Sequence, residues 1–201
     1  MNSRQEAKQK SRQKIIDAMR SLLQETRADS INIEDITTRA GVCKGSFYTH
    51  FKRKEDVVSV IALEHYNAAM KTAQKLSGGV PKRIGEYLKR SAKIIDGNTL
   101  QIAQSWMKSV TDPLDGEHGG ADKFRYDFDN IRKLISDSVA RGELVKKTPV
   151  DALAGIVMNA YYGAVANWCI TAGKMPLIGG IDDFCKHGLN AIFNTFKNEK
   201  K

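Results

Sequence analysis

The sequence predicts an all-α fold of about nine helices, and three observations support it. Alternating runs of β-branched residues, which are typical of strands, do not stand out anywhere in the 201 residues. Apolar residues recur instead at the three- and four-residue spacings of a helix. Glycine, proline and capping residues divide this pattern into segments of helical length. A chain of this size holds one or two domains, at roughly 100–200 residues each.

The N-terminal quarter of the chain combines three helices with a tight turn and leads into a long fourth helix. Residues 5–26 form an amphipathic first helix with a basic outer face. Asn32 is a suitable N-cap for a short second helix, which Gly41 ends in the left-handed conformation. Residues 44–51 form a very short third helix, and a long fourth helix covers residues 54–76.

The rest of the chain is divided by proline and glycine signals into further helices. Pro81 is placed at the first position of one helix, and Thr148 is predicted to cap another that carries Pro149 at its first position. Loops are predicted over residues 112–120 and 173–180. The predicted helices cover residues 81–95, 98–110, 121–141, 149–172 and 181–197.

The charge of the chain is concentrated at its N-terminal end. The net charge is +9, from 32 basic and 23 acidic residues. Residues 1–54 contain 12 basic and 6 acidic residues, so they carry +6 and leave +3 for the remainder. A basic head on a nearly neutral body is typical of proteins that bind nucleic acid. A basic surface that serves only solubility is the alternative interpretation.

Composition argues against several other classes of protein. The three cysteines lie far apart and form no close pair, which excludes a disulfide scaffold and a thiolate zinc site and fits the reducing cytoplasm. The basic, polar N-terminus lacks the apolar core of a secretory signal. Paired carboxylates, nucleophile motifs and metal-ligand spacings do not stand out, and the four histidines are scattered. We therefore expect no enzyme activity, no cofactor and no metal site.

A run of 22 uncharged residues, 152–173, is long enough to span a bilayer. Its asparagines, tyrosines and small residues make it only weakly apolar on membrane-insertion scales. Gly155, Asn159 and Gly163 recur every four residues, and such a stripe lets another helix approach closely. We therefore expect this segment to form the seam of a homodimer and not to enter a membrane.

The segment over residues 36–61, ITTRAGVCKGSFYTHFKRKEDVVSVI, is ordered as helix, glycine turn and helix, which is the arrangement of a helix-turn-helix. Phe47 and Phe51 share the inner face of its short second helix. The helical repeat predicts an outward face and a cationic rim: Gly45, Ser46, Tyr48 and Thr49, surrounded by Lys44, His50, Lys52, Arg53 and Lys54. Such a slim polar tip suits the DNA major groove and its flanking phosphates. Close approach to DNA would explain Gly45, since glycine is costly inside a helix.

The stretch AGVCKGSFYTHFKRKEDVV resembles the signature of the TetR-type transcriptional repressors, and the similarity extends upstream through residues 11–16 and 32–36. The resemblance implies three DNA-binding helices followed by a variable helical bundle. In the family that bundle holds an effector pocket and dimerises through its last two helices. For this chain it implies a DNA-binding domain over residues 1–53 and an effector and dimerisation domain over residues 54–201. The implied partners are a palindromic double-stranded operator, a second copy of the chain and a small molecule.

The resemblance also implies which residues meet DNA. The implied contacts with the DNA backbone are Lys44, Tyr48, His50 and Lys54, and the implied contacts with base edges are Gly45, Ser46 and Thr49. The implied contacts with the flanking strand are Ser11, Arg12, Thr37 and Thr38. Partial core packing is the alternative role for Tyr48, His50 and the two threonines. Cys43 and Arg53 stand where the family usually has a capping serine or threonine, and cysteine caps poorly. The thiol of Cys43 is next to Lys44 at a helix N-terminus, and its oxidation could make DNA binding redox-sensitive. The simpler interpretation is that Cys43 is a small apolar residue that only fills space.

Aromatic and methionine side chains are concentrated in the C-terminal part of the chain, where they could line an adaptable apolar pocket. The predicted pocket residues are Tyr87, Trp106, Met107, Phe124, Phe128, Met158, Tyr161, Tyr162 and Trp168. Ordinary core packing is the alternative for each of them. An apolar or aromatic effector is favoured, with a cationic one among the candidates. The sequence thus predicts a repressor that a small molecule releases from its operator. The alternative is a structural nucleoid protein with the same head and no inducer.

Overall fold

A computed structural model describes residues 3–98, 100–111 and 120–198. The prediction of an all-helical chain is confirmed. Within the described residues, the only β-type pairing is one isolated antiparallel bridge between Leu144 and Lys197. No helix in these ranges is both long and apolar enough to cross a membrane. The chain divides into two compact units, residues 1–65 and residues 66–201. This division falls inside the fourth helix, and the functional boundary at residue 53 stays a prediction.

The first unit follows the predicted order of helices. Its elements are α1 (Ser3–Glu25), a 3₁₀ turn (Ala28–Ser30), α2 (Ile33–Ala40), α3 (Lys44–His50) and the first part of α4 (Lys54–Lys75). Asn32 caps α2 as predicted: its side chain accepts from the Asp35 N–H at 2.9 Å, and the Asp35 carboxylate accepts from the Asn32 N–H at 2.8 Å. Gly41 ends α2 in the left-handed conformation, with φ of 63°.

The core of the first unit is formed by the inner faces of α1, α2, α3 and α4. Ile15, Met19, Ile36, Phe47 and Val57 are completely buried. Phe51, directly after α3, is also buried, and its ring centroid lies 5.9 Å from that of Phe47. The predicted anchoring of the short third helix by two phenyl rings is therefore confirmed.

The second unit consists of the end of α4 and a bundle of further helices. These are α5 (Val80–Asn98), α6 (Leu100–Thr111), α7 (Gly120–Ala140), α8 (Val150–Ile170), α9 (Leu177–Asp183) and α10 (Leu189–Asn194). A π-helical turn (Phe184–Gly188) joins the last two without a break. Their core includes Tyr87, Ile131, Met158, Tyr161 and Phe193, each at most 1% exposed.

Three predicted boundaries differ from the structure. The last helical segment begins at Leu177, within the predicted loop, because burial of Leu177 and Ile181 outweighs the low helix propensity of Gly179 and Gly180. Thr148 does not cap α8; its hydroxyl donates to the Val145 carbonyl at 2.6 Å instead. α5 begins at Val80, one residue before Pro81, and runs on to Asn98. Of the predicted loop at residues 112–120, residues 112–119 lie outside the described residues and Gly120 is the first residue of α7.

Candidate nucleic-acid interface and aromatic cluster

The two faces of α3 differ sharply in exposure. Phe47 is fully buried on the inner face, whereas the neighbouring Tyr48 is 52% exposed. Gly45 and Thr49 lie on the exposed face, and the Thr49 hydroxyl donates to the Gly45 carbonyl at 3.0 Å. The predicted outward face is thus on the surface of the unit, where it is accessible to DNA.

Gly45 has no packing reason to be glycine within the described part of the chain. A Cβ atom built at this position meets none of the described atoms within 4 Å, and its backbone does not have a positive φ. Glycine in a helix interior costs about 0.5–1 kcal/mol relative to alanine. A requirement from outside the unit, such as the surface of DNA, would explain the residue.

Ser11 on α1 and Ser46 on α3 are joined by a hydrogen bond of 2.7 Å between their hydroxyl groups. The two helices border an open groove of about 580 Å³. Its lining is polar and basic: Arg4, Gln5, Lys8, Ser11, Ser46, Thr49 and His50. A concave surface lined by basic side chains and hydroxyl groups is suited to a phosphate backbone.

Lys44 and Arg12 already have partners in the unit, and His50 lies in a partly buried, positively charged environment. Lys44 Nζ lies 3.0 Å from Glu34 Oε1, and this hydrogen bond raises the pKa of Lys44. The Arg12 guanidinium carbon lies 5.1 Å from the centroid of the Phe51 ring. His50 is half-buried, and burial, followed by the charges of Lys8 and Arg12, lowers its pKa. His50 is therefore largely neutral at pH 7 in the free protein.

Lys54 has internal partners for its whole ammonium group. The ammonium donates to the carbonyl groups of Ala28, Asp29 and Ile31, at 2.9, 3.0 and 2.6 Å. A lysine ammonium has three hydrogens, so these acceptors satisfy all of them. We therefore propose that Lys54 stabilises the segment between α1 and α2, and its phosphate contact stays a prediction.

Thr37 also has an internal role. Its side chain is only 6% exposed, and its hydroxyl donates to the Glu34 carbonyl at 3.1 Å. These observations favour core packing, the alternative role for Thr37, and its contact with the flanking strand stays a prediction. Thr38, the next residue, is exposed and stays a candidate for that contact.

The N-termini of α3 and α4 show how the unusual cap residues are accommodated. Cys43 is the N-cap of α3, and its side chain makes no capping hydrogen bond. Before α4, the carboxylate of Asp56 accepts from the N–H groups of Lys52 and Arg53, both at 2.9 Å. Sequence reasoning missed this role of Asp56, although an acidic residue in the first helical turn is a recognisable signal.

The predicted pocket residues in the second unit divide into two groups. Tyr87, Met158, Tyr161 and Trp168 are buried, whereas Trp106, Met107, Phe128 and Tyr162 are partly buried and Phe124 is 42% exposed. Tyr162 is the centre of an aromatic cluster, with ring-centroid distances of 5.7 Å to Trp106, 5.3 Å to Phe124 and 5.3 Å to Tyr161. The structure therefore brings together four of the predicted residues.

A buried carboxylate that the sequence analysis missed lies among these rings. Asp127 is fully buried and accepts hydrogen bonds from the hydroxyls of Tyr87 at 2.6 Å and Tyr162 at 2.7 Å. Lys123 forms an ion pair with it. Burial and the negative charge of Asp127 raise the pKa of both tyrosines. The four-residue spacing of Lys123 and Asp127 on one helix face was the available signal.

The small-residue stripe of α8 lies on the surface of the chain. Cβ atoms built at Gly155 and Gly163 meet no described atom within 4 Å, and Asn159 is exposed. Ile156 on the same helix is 49% exposed, and Ile170 at its end is 81% exposed. This face is therefore open to another helix, and the dimer seam stays a prediction.

Comparisons with known proteins agree with this geometry. Residues 15–61 match the family described as Bacterial regulatory proteins, tetR family. The HTH-type transcriptional repressor DhaR of Mycobacterium sp. (strain GP1) is 24% identical over 178 residues, which cover 83% of this chain and 84% of DhaR.

Solved structures share the fold. The transcriptional regulator FadR from Bacillus subtilis, in complex with stearoyl-CoA, has a TM-score of 0.60 at 16% identity and covers 90% of this chain and 97% of its own. TylP, a TetR regulator from Streptomyces fradiae, has a TM-score of 0.56 at 24% identity, with coverage of 90% and 85%.

Proposed function

We propose that the chain is a repressor that a small molecule releases from its operator, and the match of residues 15–61 to the tetR family of bacterial regulatory proteins supports this proposal. The exposed face of α3 is the single observation that carries the proposal. It presents a glycine, hydroxyl groups and an exposed tyrosine beside a basic groove. Small polar groups can approach base edges, while the cations neutralise phosphates.

The DNA contacts divide into two classes with different consequences. Gly45, Ser46 and Thr49 are proposed to meet base edges. Lys44 and Arg12 are proposed to meet phosphates. Base contacts decide which sequence is bound, whereas phosphate contacts strengthen binding to every sequence and make it sensitive to salt.

We propose a homodimer with α8 at its seam. The exposed stripe at Gly155, Asn159 and Gly163 supports this assignment, because small residues let two helices pack closely. A twofold dimer would present two copies of α3 to DNA, roughly 34–36 Å apart, which is one helical turn of the duplex. The operator would then be palindromic.

Release by a small molecule is proposed as a shift between two populations of the dimer. A ligand that binds better to the state with poorly spaced α3 helices would lower operator affinity in proportion to that preference. The FadR structure, which holds stearoyl-CoA, supports ligand binding by a protein of this fold. α4 contributes residues to both units, so we propose it as the element that couples them.

Selection of binding sites from a pool of random duplexes by the full-length protein tests the proposal. We expect a palindromic consensus whose affinity falls steeply with salt, at a log–log slope of about −0.9 per neutralised phosphate. Thr49→Ala should change the consensus, whereas Lys44→Ala should weaken binding to all duplexes. Lys186→Ala, which removes one exposed charge from the second unit, is the matched control and should leave binding unchanged. Recovery of no consensus would contradict the proposal and favour a nucleoid protein.

A further inference from the structure

The ion pair between Asp127 and Lys123 has one buried member and one partly exposed member. The carboxylate of Asp127 is held in place by the hydroxyls of Tyr87 and Tyr162, and 1% of its side chain is exposed. The Lys123 side chain keeps 18% of its surface exposed. Because a lysine ammonium sits on a flexible stem, it can move out to solvent while the carboxylate stays buried.

The aromatic rings around the ammonium group favour a positive charge at this place. Lys123 Nζ lies 3.8 Å from the centroid of the Tyr66 ring and 5.9 Å from that of the Tyr126 ring. The face of an aromatic ring attracts cations, most strongly where water is excluded. An anion in the place of the ammonium would be repelled by the face of the Tyr66 ring and by the negative charge of Asp127. The place that the ammonium occupies is therefore selective for cations.

A polar group without a partner and an aromatic surface adjoin the ion pair. The Tyr161 hydroxyl is buried and has no hydrogen-bond partner among the described residues, although such groups are normally paired. Its ring centroid lies 5.3 Å from that of Tyr162, whose hydroxyl donates to Asp127, and burial and the charge of Asp127 raise the pKa of Tyr161. Phe124, next to Lys123 in the chain, packs on Tyr162 with part of its ring exposed. A ligand with an aromatic body could therefore pack on these rings, next to the charged pair of Asp127 and Lys123.

We propose that the second unit binds an organic cation, an ammonium or amidinium on an apolar or aromatic body, whose charge replaces the Lys123 ammonium between Asp127 and Tyr66. This inference rests on the proposed function, because it assigns a chemical class to the effector of that regulator. Tyr66 lies on α4. Replacement of the Lys123 ammonium by the cation of the ligand would therefore change a contact of α4, the helix that contributes residues to both units.

Three probes of similar size and different charge test the inference on the full-length protein: 2-phenylethylammonium, 2-phenylethanol and phenylacetate. Trp106 stacks on Tyr162 and is one of only two tryptophans, so intrinsic fluorescence reports binding at the cluster. We expect the cation to bind about tenfold more tightly than the alcohol and the acid. Equal or tighter binding of phenylacetate would overturn the inference without any variant being needed.

Variants on α7 then locate the charge preference. Asp127→Asn should remove the preference for the cation. Lys123→Met removes the internal competitor, so the cation should bind this variant more tightly and raise its melting temperature more than that of the wild type. Lys133→Met is the matched control, because it removes another lysine–aspartate pair of the same spacing on the same helix, at the surface beside Asp137. A cation preference that survives in Asp127→Asn would refute the assignment, whatever the stability of the variants.

Operator binding separates this inference from the proposed function. If the cation binds with the expected charge preference and leaves operator affinity unchanged, the cation site is upheld and release by this ligand class fails. If none of the three probes shows the preference while another compound releases the protein from its operator, the cation inference fails and the proposed function stands.

Discussion

Lys44 Nζ lies 3.0 Å from Glu34 Oε1, so a cation expected at the DNA backbone is held in the free protein by a carboxylate of the preceding helix. Both side chains are more than half exposed, and such pairs exchange readily in water. If Lys44 meets the DNA backbone as proposed, DNA has to compete with Glu34 for its ammonium group. We therefore propose that Glu34 weakens DNA binding.

Glu34→Gln should raise affinity for duplex DNA about three- to fivefold at low salt, because Lys44 is freed and a negative charge is removed from the interface. Fluorescence anisotropy with a labelled duplex measures the effect. The gain should shrink in a Lys44→Met background, where there is no pair to break. Glu25→Gln, which removes an acid paired with Arg39 in the same unit, is the control for charge alone.

Gly45→Ala should separate folding from DNA binding. The added methyl group meets none of the described atoms, so the variant should gain about 0.5–1 kcal/mol in free energy of unfolding. Its DNA affinity should fall, because the methyl group lies on the face proposed to approach the bases. Chemical denaturation and anisotropy measure the two effects. Gly97→Ala, at another unobstructed helical glycine, should leave DNA affinity unchanged, and equal effects of both variants on DNA would count against the interface.

Cys43→Ser should stabilise the first unit by about 1 kcal/mol, because serine can accept the N–H hydrogen bond that the cysteine cap leaves unmade. The midpoint of urea denaturation gives the change. Cys43→Ala removes the thiol without adding a cap, so it should show no such gain. A gain of the same size in both variants would show that the thiol itself destabilises the site.

Lys54→Met should lower the free energy of unfolding by about 1–3 kcal/mol, since three backbone carbonyl groups lose their donor. The salt dependence of DNA binding should keep its slope, because the ammonium is not expected to release a counterion. Lys52→Met, at an exposed neighbouring lysine, is the matched control for stability. A slope reduced by about one in Lys54→Met would support the predicted phosphate contact.

His50 should make the stability of the free protein depend on pH. Burial and the charges of Lys8 and Arg12 lower its pKa below the ordinary 6.5, so the folded state disfavours protonation. The stability that neutral His50 contributes is present above pH 6.5 and is lost as the pH falls through the lowered pKa. The difference in free energy of unfolding between the wild type and His50→Gln, measured from pH 8 to pH 5, should therefore favour the wild type less at low pH. A difference that does not change with pH would contradict the assignment.

The parts of the fold that depend on near neighbours in the chain could be predicted from the sequence. The Asn32 cap, the left-handed Gly41 and the shared face of Phe47 and Phe51 each follow from spacings of a few residues. The start of α9 could not be predicted, because burial of Leu177 by distant helices outweighs two local glycines.

The candidate sites show the same division. The exposed and buried faces of α3 follow from its helical repeat. The roles of Lys54 and Asp127 depend on groups that are brought together only by folding: carbonyls more than 20 residues away and tyrosines from two other helices. A charged residue in a sequence does not reveal whether its partner will be a phosphate, a ligand or its own backbone.

The unobstructed flanks of Gly155 and Gly163 on α8 have a practical consequence. A Cβ atom at either position meets no described atom of the chain that carries it. If α8 forms the proposed seam, larger side chains at these positions would obstruct the approach of a second copy. Variants at the two glycines thus offer a way to measure, by its loss, what the proposed pairing contributes to operator recognition.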